Sequence, residues 1–343
     1  MNVLIIGGTG LISTAITDLM IERGDDVTLY NRGMTSKSPP SSPRTITGDH
    51  TKYSDFCAQM AKEGPFDCVI DMVCFVPDDA KSAISAFRGR AGQYIFCSTI
   101  DVYTKPANRY PITEDEGRHP SGSFPYAANK AACENILMEA HRRGDFPLTI
   151  VRPACTYGEG RGIIHTFGGG TYHLDRVRKG RPIIVHGDGT SFWVVCHRDD
   201  VARAFVGAVG NPKAFGRAYH VTGEEWMTWN RYHELTAKAM GAPAPKLIHI
   251  PTDLLGEVVP KQAEWCVENF QYNNLFDNTA ARTDLGFRFT VPWVEGVRRI
   301  VAWLDGHGGI ENSDDYPFYD QIIAAWERSC ANMKSALTDL EDE

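Results

Sequence analysis

The chain opens with a short, β-branched apolar run, Val3 to Ile6, closed at once by Gly7-Gly8-Thr9-Gly10. A run apolar at every position, rather than at alternate ones, predicts a parallel strand buried on both faces. Ala15, Ile16, Leu19 and Met20 then repeat at helical spacing, with Gly24 where a left-handed C-cap would end the element. Val27 to Tyr30 is a second apolar run. Strand, glycine turn, helix and strand in about thirty residues make the βαβ unit of a doubly wound sheet.

Three more short apolar runs continue the alternation: Cys68 to Met72, Gln93 to Cys97 and Leu148 to Val151, with helix-compatible segments between them. The pattern predicts an α/β chain with a Rossmann-type, doubly wound parallel sheet. Thr35 to Pro43 is rich in Ser and Pro and reads as a surface loop. Beyond Pro153 the alternation loosens around Gly158, Gly160, Gly162 and Gly168 to Gly170, which marks a second, smaller and mixed lobe. Val201 to Val209 predicts a helix and Tyr219 to Val221 a strand, both returning to the sheet. Trp226, Trp229 and Tyr232 share a helical spacing that favours a core position, and Tyr316 to Glu343 carries a helical run with an acidic end, Asp339 to Glu343. The expected division is a dinucleotide-binding domain at 1–152, with its sheet completed by about 189–221. A substrate lobe follows at 153–188 and 222–310, then a helical extension at 311–343.

Charge changes the picture in one respect. Thirty-five basic against 43 acidic side chains give a net charge of -8, which disfavours nucleic-acid backbones and anionic membranes. No run reaches the length of a membrane span, and Met1 to Ile6 is too short for a signal segment. Nine cysteines without a CxxC pair fit a reduced compartment, so a cytoplasmic location is expected. His165 and His173 lie eight apart and no HExxH occurs, so no metal site is expected.

Three features carry chemistry. Gly8-Thr9-Gly10-Leu11-Ile12-Ser13 is GxGxxG with Ser in the last place, set between a strand and a helix, where backbone N–H groups favour a pyrophosphate. Asn31-Arg32-Gly33 ends the second strand with a guanidinium where an NAD site places a carboxylate, which leans the cofactor towards NADP. Tyr126 and Lys130 stand one helical turn apart, so an ammonium can favour the phenolate. A hydroxyl of Ser98 or Thr99, after the 93–97 strand, can bond the same substrate oxygen.

Taken in order, these features resemble the extended short-chain dehydrogenase/reductase family of sugar-nucleotide epimerases and dehydratases. The resemblance includes Gly7 to Ile12, Asp49 after a third strand, Ser98-Thr99-Ile100-Asp101-Val102-Tyr103, Tyr126-Ala127-Ala128-Asn129-Lys130 and Arg152-Pro153 with Tyr157-Gly158. It continues through Gly187 to Thr190, Asp199 to Ala202 and Asp284 to Phe287. It implies Thr99, Tyr126 and Lys130 as catalytic residues. Cofactor contacts are implied for Gly7, Gly8, Thr9, Gly10, Leu11, Ile12, Asn31, Arg32, Asp49, Tyr126, Lys130 and Pro153. Substrate contacts are implied for Ser98, Asp101, Val102, Arg161 and Trp193, and a homodimer is the family's common assembly.

Two departures bear on substrate. Trp193 stands where such enzymes carry a diphosphate-clamping arginine; Arg161 or the cluster Arg176, Arg178, Lys179 and Arg181 is the available substitute, although a basic helix is more often a solvated face. Ile100-Asp101 replaces the acidic pair of the 4,6-dehydratases. The Asn31-Arg32-Gly33 turn and the missing arginine are similar to the branch that includes plant chloroplast stem-loop-binding proteins, some of which are associated with RNA. The expected function is an NAD(P)-dependent epimerase or oxidoreductase acting on a hydroxyl of a sugar or sugar-nucleotide through a transient keto intermediate. The alternatives are an NADPH-dependent carbonyl reductase or dehydrogenase of a non-nucleotide substrate and a non-catalytic nucleotide- or RNA-binding protein.

Overall fold

The computed structural model describes residues 1–34 and 43–337. The expected loop at 35–42 and the acidic end at 339–343 lie outside them. In chain order the elements are β1 Asn2–Ile6, α1 Leu11–Glu22, β2 Asp26–Asn31, β3 Arg44–Thr47, α2 Tyr53–Lys62, β4 Cys68–Asp71, α3 Pro77–Phe87 and β5 Tyr94–Cys97. They continue with α4 Pro125–Arg142, β6 Leu148–Pro153, β7 Cys155–Tyr157, α5 Tyr172–Arg178, β8 Ile183–His186, β9 Phe192–Trp193, β10 Val195–His197 and α6 Arg198–Ala208. The last are β11 Arg217–Val221, β12 Met227–Thr228, α7 Trp229–Ala239, β13 Leu247–Ile250, α8 Thr252–Val258, α9 Pro260–Trp265, α10 Thr279–Leu285, α11 Trp293–Gly306 and α12 Pro317–Ala336.

The chain forms two compact units. Among the described residues the first holds 1–34, 43–158, 194–226 and 273–292; the second holds 159–193, 227–272 and 293–337. This division differs from the sequence expectation by a few residues at several boundaries and in two larger stretches. Residues 273–292 return to the first unit, and the stretch from 311 belongs to the second rather than standing apart.

The first unit is built on a seven-stranded parallel sheet in the order β11-β6-β5-β4-β1-β2-β3. Ile5 of β1 pairs with Leu29 on one side and Ile70 on the other. The continuous apolar runs are explained by two cores. Val3 and Ile5 face one layer with Ile16, Met20 and Phe205 of the flanking helices, while Leu4 and Ile6 face the other with Phe56, Phe87 and Leu137. Burial on both faces removes the polar alternation that an exposed sheet shows. β3, an edge strand of sequence Arg-Thr-Ile-Thr, has mostly exposed positions, so no apolar run betrays it. The chain leaves β1 towards β2 on one side and β4 on the other. This switch point opens a crevice at the carboxyl end of β1, where the glycine turn lies.

The second unit pairs β8 with β13 in parallel and β9 with β12 antiparallel. Trp229 and Tyr232 are buried there, but Trp226, expected with them, is 48% exposed. Among the described residues no helix is long and apolar enough to cross a membrane.

Candidate active site

The glycine turn is shaped by close approach. Gly7 has φ +82°, and an added Cβ would fall on Val73 Cγ1; at Gly8 it would lie 2.5 Å from Leu29 Cδ2. Ser13, read from sequence as a small substitute for the third glycine, does more than fit. It is 1% exposed, its Oγ accepts from Gly10 N at 2.8 Å, and it donates to Gly7 O at 2.7 Å. The hydroxyl therefore ties both ends of the turn. The first turn of α1 carries no acidic residue, so its N-terminal N–H groups and partial positive charge are open to an anion. Thr9, Leu11 and Ile12 are partly exposed beside it. These residues fit the pyrophosphate of a dinucleotide.

At the end of β2 the Asn31 side chain accepts from Gly33 N at 2.9 Å and leaves Arg32 exposed. Asp49 accepts from both Thr51 N and Thr51 Oγ1, and these bonds, with Arg32 among the neighbouring charges, hold its carboxyl below the usual range. Asn31, Arg32, Gly33 and Asp49 thus gather at one end of the crevice edge. Pro153 is buried at the end of β6.

The chemical cluster lies after β5. Pro125 opens α4 at its first position, which places Tyr126 in the first turn and Lys130 one turn on. Lys130 is 1% exposed and donates to Cys97 O at 2.7 Å and Cys74 O at 2.9 Å, so it joins the end of β5 to the loop after β4 and keeps one of its three protons for another acceptor. Its ammonium also lies 4.6 Å from the centre of the Phe75 ring. Tyr126 is half-buried. Burial and the Asp101 carboxylate push its phenol above the ordinary value, and a hydrogen bond with Thr99 pulls the other way. Thr99 Oγ1 in turn donates to Asp101 Oδ2 at 2.8 Å.

A buried charged network underlies this loop. Glu134, fully buried on α4, accepts from Ser98 Oγ at 2.5 Å, from Arg152 Nε at 2.9 Å and Nη2 at 2.7 Å, and from Arg118 Nη1 at 2.5 Å. The guanidinium groups and Ser98 overcome the cost of burial and hold the Glu134 carboxyl below its usual value. Arg152 Nη1 reaches Tyr103 Oη at 2.5 Å, and that oxygen lies 2.5 Å from His220 Nε2.

Of the residues expected from sequence, Thr99, Asp101, Tyr126 and Lys130 come together in the first unit. Ser98, expected at substrate, is 3% exposed with its hydroxyl committed to Glu134, and Val102 is fully buried in the apolar core, so neither offers a surface. Arg161 is exposed in the second unit. Trp193 is 1% exposed and stacks on Trp229 at 5.2 Å, which makes it part of that unit's interior. The basic cluster divides: Arg178 and Lys179 lie on the solvated face expected, whereas Arg176 does not. Arg176 is fully buried, bonds Asp320 at 2.7 Å and lies over the Tyr319 ring, while Arg178 pairs with Asp305 and Arg181 with Asp314. Sequence reasoning missed Lys105. Its side chain is 8% exposed, 3.8 Å from Asp101 Oδ1, and donates to Asn274 Oδ1 at 2.8 Å.

Comparison with known proteins identifies a family and a shared fold. Residues 3–222 match the model of the NAD dependent epimerase/dehydratase family. The chain is 26% identical over 340 residues to the chloroplast stem-loop binding protein of 41 kDa b of Arabidopsis thaliana, covering 94% of this chain and 84% of that one. It is 24% identical over 277 residues to 2'-dehydrokanamycin reductase of Streptomyces kanamyceticus, covering 81% and 77%. In fold it resembles the UDP-glucose 4-epimerase of Thermotoga maritima, with a TM-score of 0.70 and 20% identity over 90% of this chain and 99% of that one. The glycine turn, the Thr99-Tyr126-Lys130 cluster and the match over most of the sheet unit lead to one conclusion: the chain belongs to the NAD-dependent epimerase/dehydratase family and is an enzyme of that type.

Proposed function

We propose that the chain is an NAD(P)-dependent epimerase or oxidoreductase that acts at a sugar hydroxyl through a keto intermediate. The observation that carries this reading is the hydrogen bond of Tyr126 to Thr99 beside a lysine anchored to the end of β5 and the loop after β4. Gly7 to Ile12 would hold the pyrophosphate, Asn31, Arg32 and Asp49 the adenosine end, and Lys130 a ribose hydroxyl. A bound dinucleotide supplies the hydride acceptor. Tyr126 takes or returns the hydroxyl proton, and Thr99 holds the substrate oxygen as its charge changes. The exposed Arg32 beside β2, with no carboxylate in Asn31-Arg32-Gly33, favours the 2'-phosphate of NADP.

A second reading, reduction of a sugar ketone that carries no nucleotide, is favoured by the burial of Trp193 and by the pairing of the fully buried Arg176 with Asp320. Neither feature leaves a guanidinium for a diphosphate. The 2'-dehydrokanamycin reductase relative suits this reading. The stem-loop binding relative raises an RNA-binding alternative, against which a net charge of -8 weighs.

The test begins with the purified protein, denatured so that any released dinucleotide is identified by mass. The protein is then offered UDP-glucose, UDP-glucuronic acid and, with NADPH, 2'-dehydrokanamycin. Tyr126→Phe is expected to lower turnover by about 10²-fold or more and to keep dinucleotide affinity. Unchanged turnover in that variant would overturn the mechanism; failure to bind either dinucleotide would overturn the enzyme reading as a redox catalyst.

A further inference from the structure

Lys105 lies in a stretch that none of the motifs above includes, yet it completes a chain of polar groups that starts at the candidate acid/base. Tyr126 bonds Thr99, Thr99 Oγ1 donates to Asp101 Oδ2 at 2.8 Å, and Asp101 Oδ1 is 3.8 Å from Lys105 Nζ. The amine is fixed from its other side by Asn274 Oδ1 at 2.8 Å, an amide that is itself fully buried. Burial with one carboxylate at ion-pair rather than hydrogen-bond distance is a poor setting for a permanent ammonium. Its acidity reflects this: burial pushes Lys105 down to about 8, against the opposing pull of Asp101. A lysine that changes charge near neutral pH is therefore connected, through two side chains, to a tyrosine that must gain and lose a proton.

We propose that Lys105 is the second proton carrier of the site, exchanging with Tyr126 through Thr99 and Asp101. This deepens the redox reading given above and rests on it. When Tyr126 Oη takes a substrate hydroxyl proton, its own phenolic proton passes to Thr99 Oγ1 and the Thr99 proton passes to Asp101 Oδ2. Rotation of the carboxyl group then presents that proton to the neutral Lys105 amine, after an approach of about 1 Å from the observed spacing. One proton leaves the substrate and one is gained by Lys105, while Tyr126, Thr99 and Asp101 end as they began. The reverse sequence returns a proton to the substrate oxygen. Tyr126 is thereby spared a lasting phenolate, which its burial and the Asp101 charge disfavour. Asp101 from its own loop and Asn274 from the 273–292 return face Lys105, and Tyr126 of α4 is reached by way of Thr99.

The experiment uses the full chain with lysine side chains labelled with carbon-13. The Lys105 signal is assigned by its loss in Lys105→Met, and its titration is followed by NMR. It is expected near pH 8, and to move upward in Thr99→Val and in Tyr126→Phe, because each change weakens the hydrogen-bond chain that shares the Asp101 charge. A titration at the ordinary lysine value, or one that ignores both substitutions, overturns the proposal. The same protein is assayed with whichever of UDP-glucose, UDP-glucuronic acid or 2'-dehydrokanamycin turns over. Turnover should show a limb near pH 8 that disappears in Lys105→Met with a loss of about 10²-fold, and Lys105→Arg, whose charge is fixed, should not restore it. A limb that survives in Lys105→Met overturns the relay even if the redox reading stands. If none of the three turns over, the redox reading is what fails, and the NMR titrations still decide whether Lys105 and Tyr126 share a proton.

Discussion

The largest groups of buried polar side chains in the two units are satisfied differently. In the first, Glu134, Arg152, Arg118, Ser98, Tyr103 and His220 satisfy one another under the loop that carries Thr99. In the second, His165, His173 and His233 are fully buried, and His165 Nε2, His173 Nε2 and both ring nitrogens of His233 have no protein partner among the described residues. His165 and His173 stack with ring centres 4.5 Å apart. A paired charge network fixes geometry at the cost of sensitivity to losing one member. Buried neutral imidazoles tolerate their surroundings only while they remain uncharged. The unit with the candidate chemistry is thus built for orientation, and the other carries a stored response to acid.

The largest way to break this contrast is Glu134→Ala, which leaves the Arg152 guanidinium buried without its carboxylate. A loss of about 4 kcal/mol is expected in denaturant unfolding, with Ser98 and the Thr99 loop disordered. Replacing Glu134 and Arg152 together by Leu and Met should recover much of that stability without restoring turnover, which separates the energetic role of the pair from its positioning role. Recovery of both would mean that the network does not orient the site.

Acid comes next. Burial lowers His173 and His186 to about 4 and His233 to about 3, and holds His165 well below its ordinary value; in the first unit His220 is lowered to about 3. For each, the unfolded chain binds a proton that the folded one refuses between pH 6.5 and the lowered value. The stability is therefore present above pH 6.5 and falls as pH drops towards 4, by a limit of roughly 3 kcal/mol for each group. Glu134, held low by its partners, contributes stability that is lost only further into acid. Hydrogen exchange between pH 7 and 5 should accordingly rise first in α5, α7 and β8; equal loosening of the sheet would refute the contrast. His233→Phe, which swaps a partnerless ring for an apolar one, should flatten this dependence.

Two smaller effects sharpen the picture within the first unit. Tyr103→Phe removes the oxygen shared by Arg152 and His220, and a loss of about 2 kcal/mol in unfolding is expected. Ser13→Ala should cost about 1 kcal/mol and weaken dinucleotide binding severalfold by loosening the glycine turn, read by calorimetric titration with NAD and NADP.

The legible part of the fold was the part made of local repetition. Val3 to Ile6 and Cys68 to Met72 announced buried strands because both their faces are apolar, whereas the exposed edge strand β3 left no such signal. Trp193 and the Arg176 cluster show the converse: their residue types were plain, but burial against Trp229 and pairing with Asp320 depend on contacts that no spacing encodes. A signal for Ser13 was present in its fixed place after Gly10, though its role as a brace required the turn's own geometry.

The sequence by itself determined the alternation of buried strands and helices through β6, the glycine turn at the mouth of α1 and the one-turn spacing of Tyr126 and Lys130, since each follows from dihedral preference and periodicity over a few residues. Only the tertiary structure decided which carbonyls Lys130 grips, where the Ser98 hydroxyl goes, and that Lys105 faces Asp101 with Asn274 behind it. Those outcomes turn on burial and on partners as many as 169 positions away. A charge acquires its chemical character from what desolvates and neutralises it, and that is a property of the folded neighbourhood rather than of the residue.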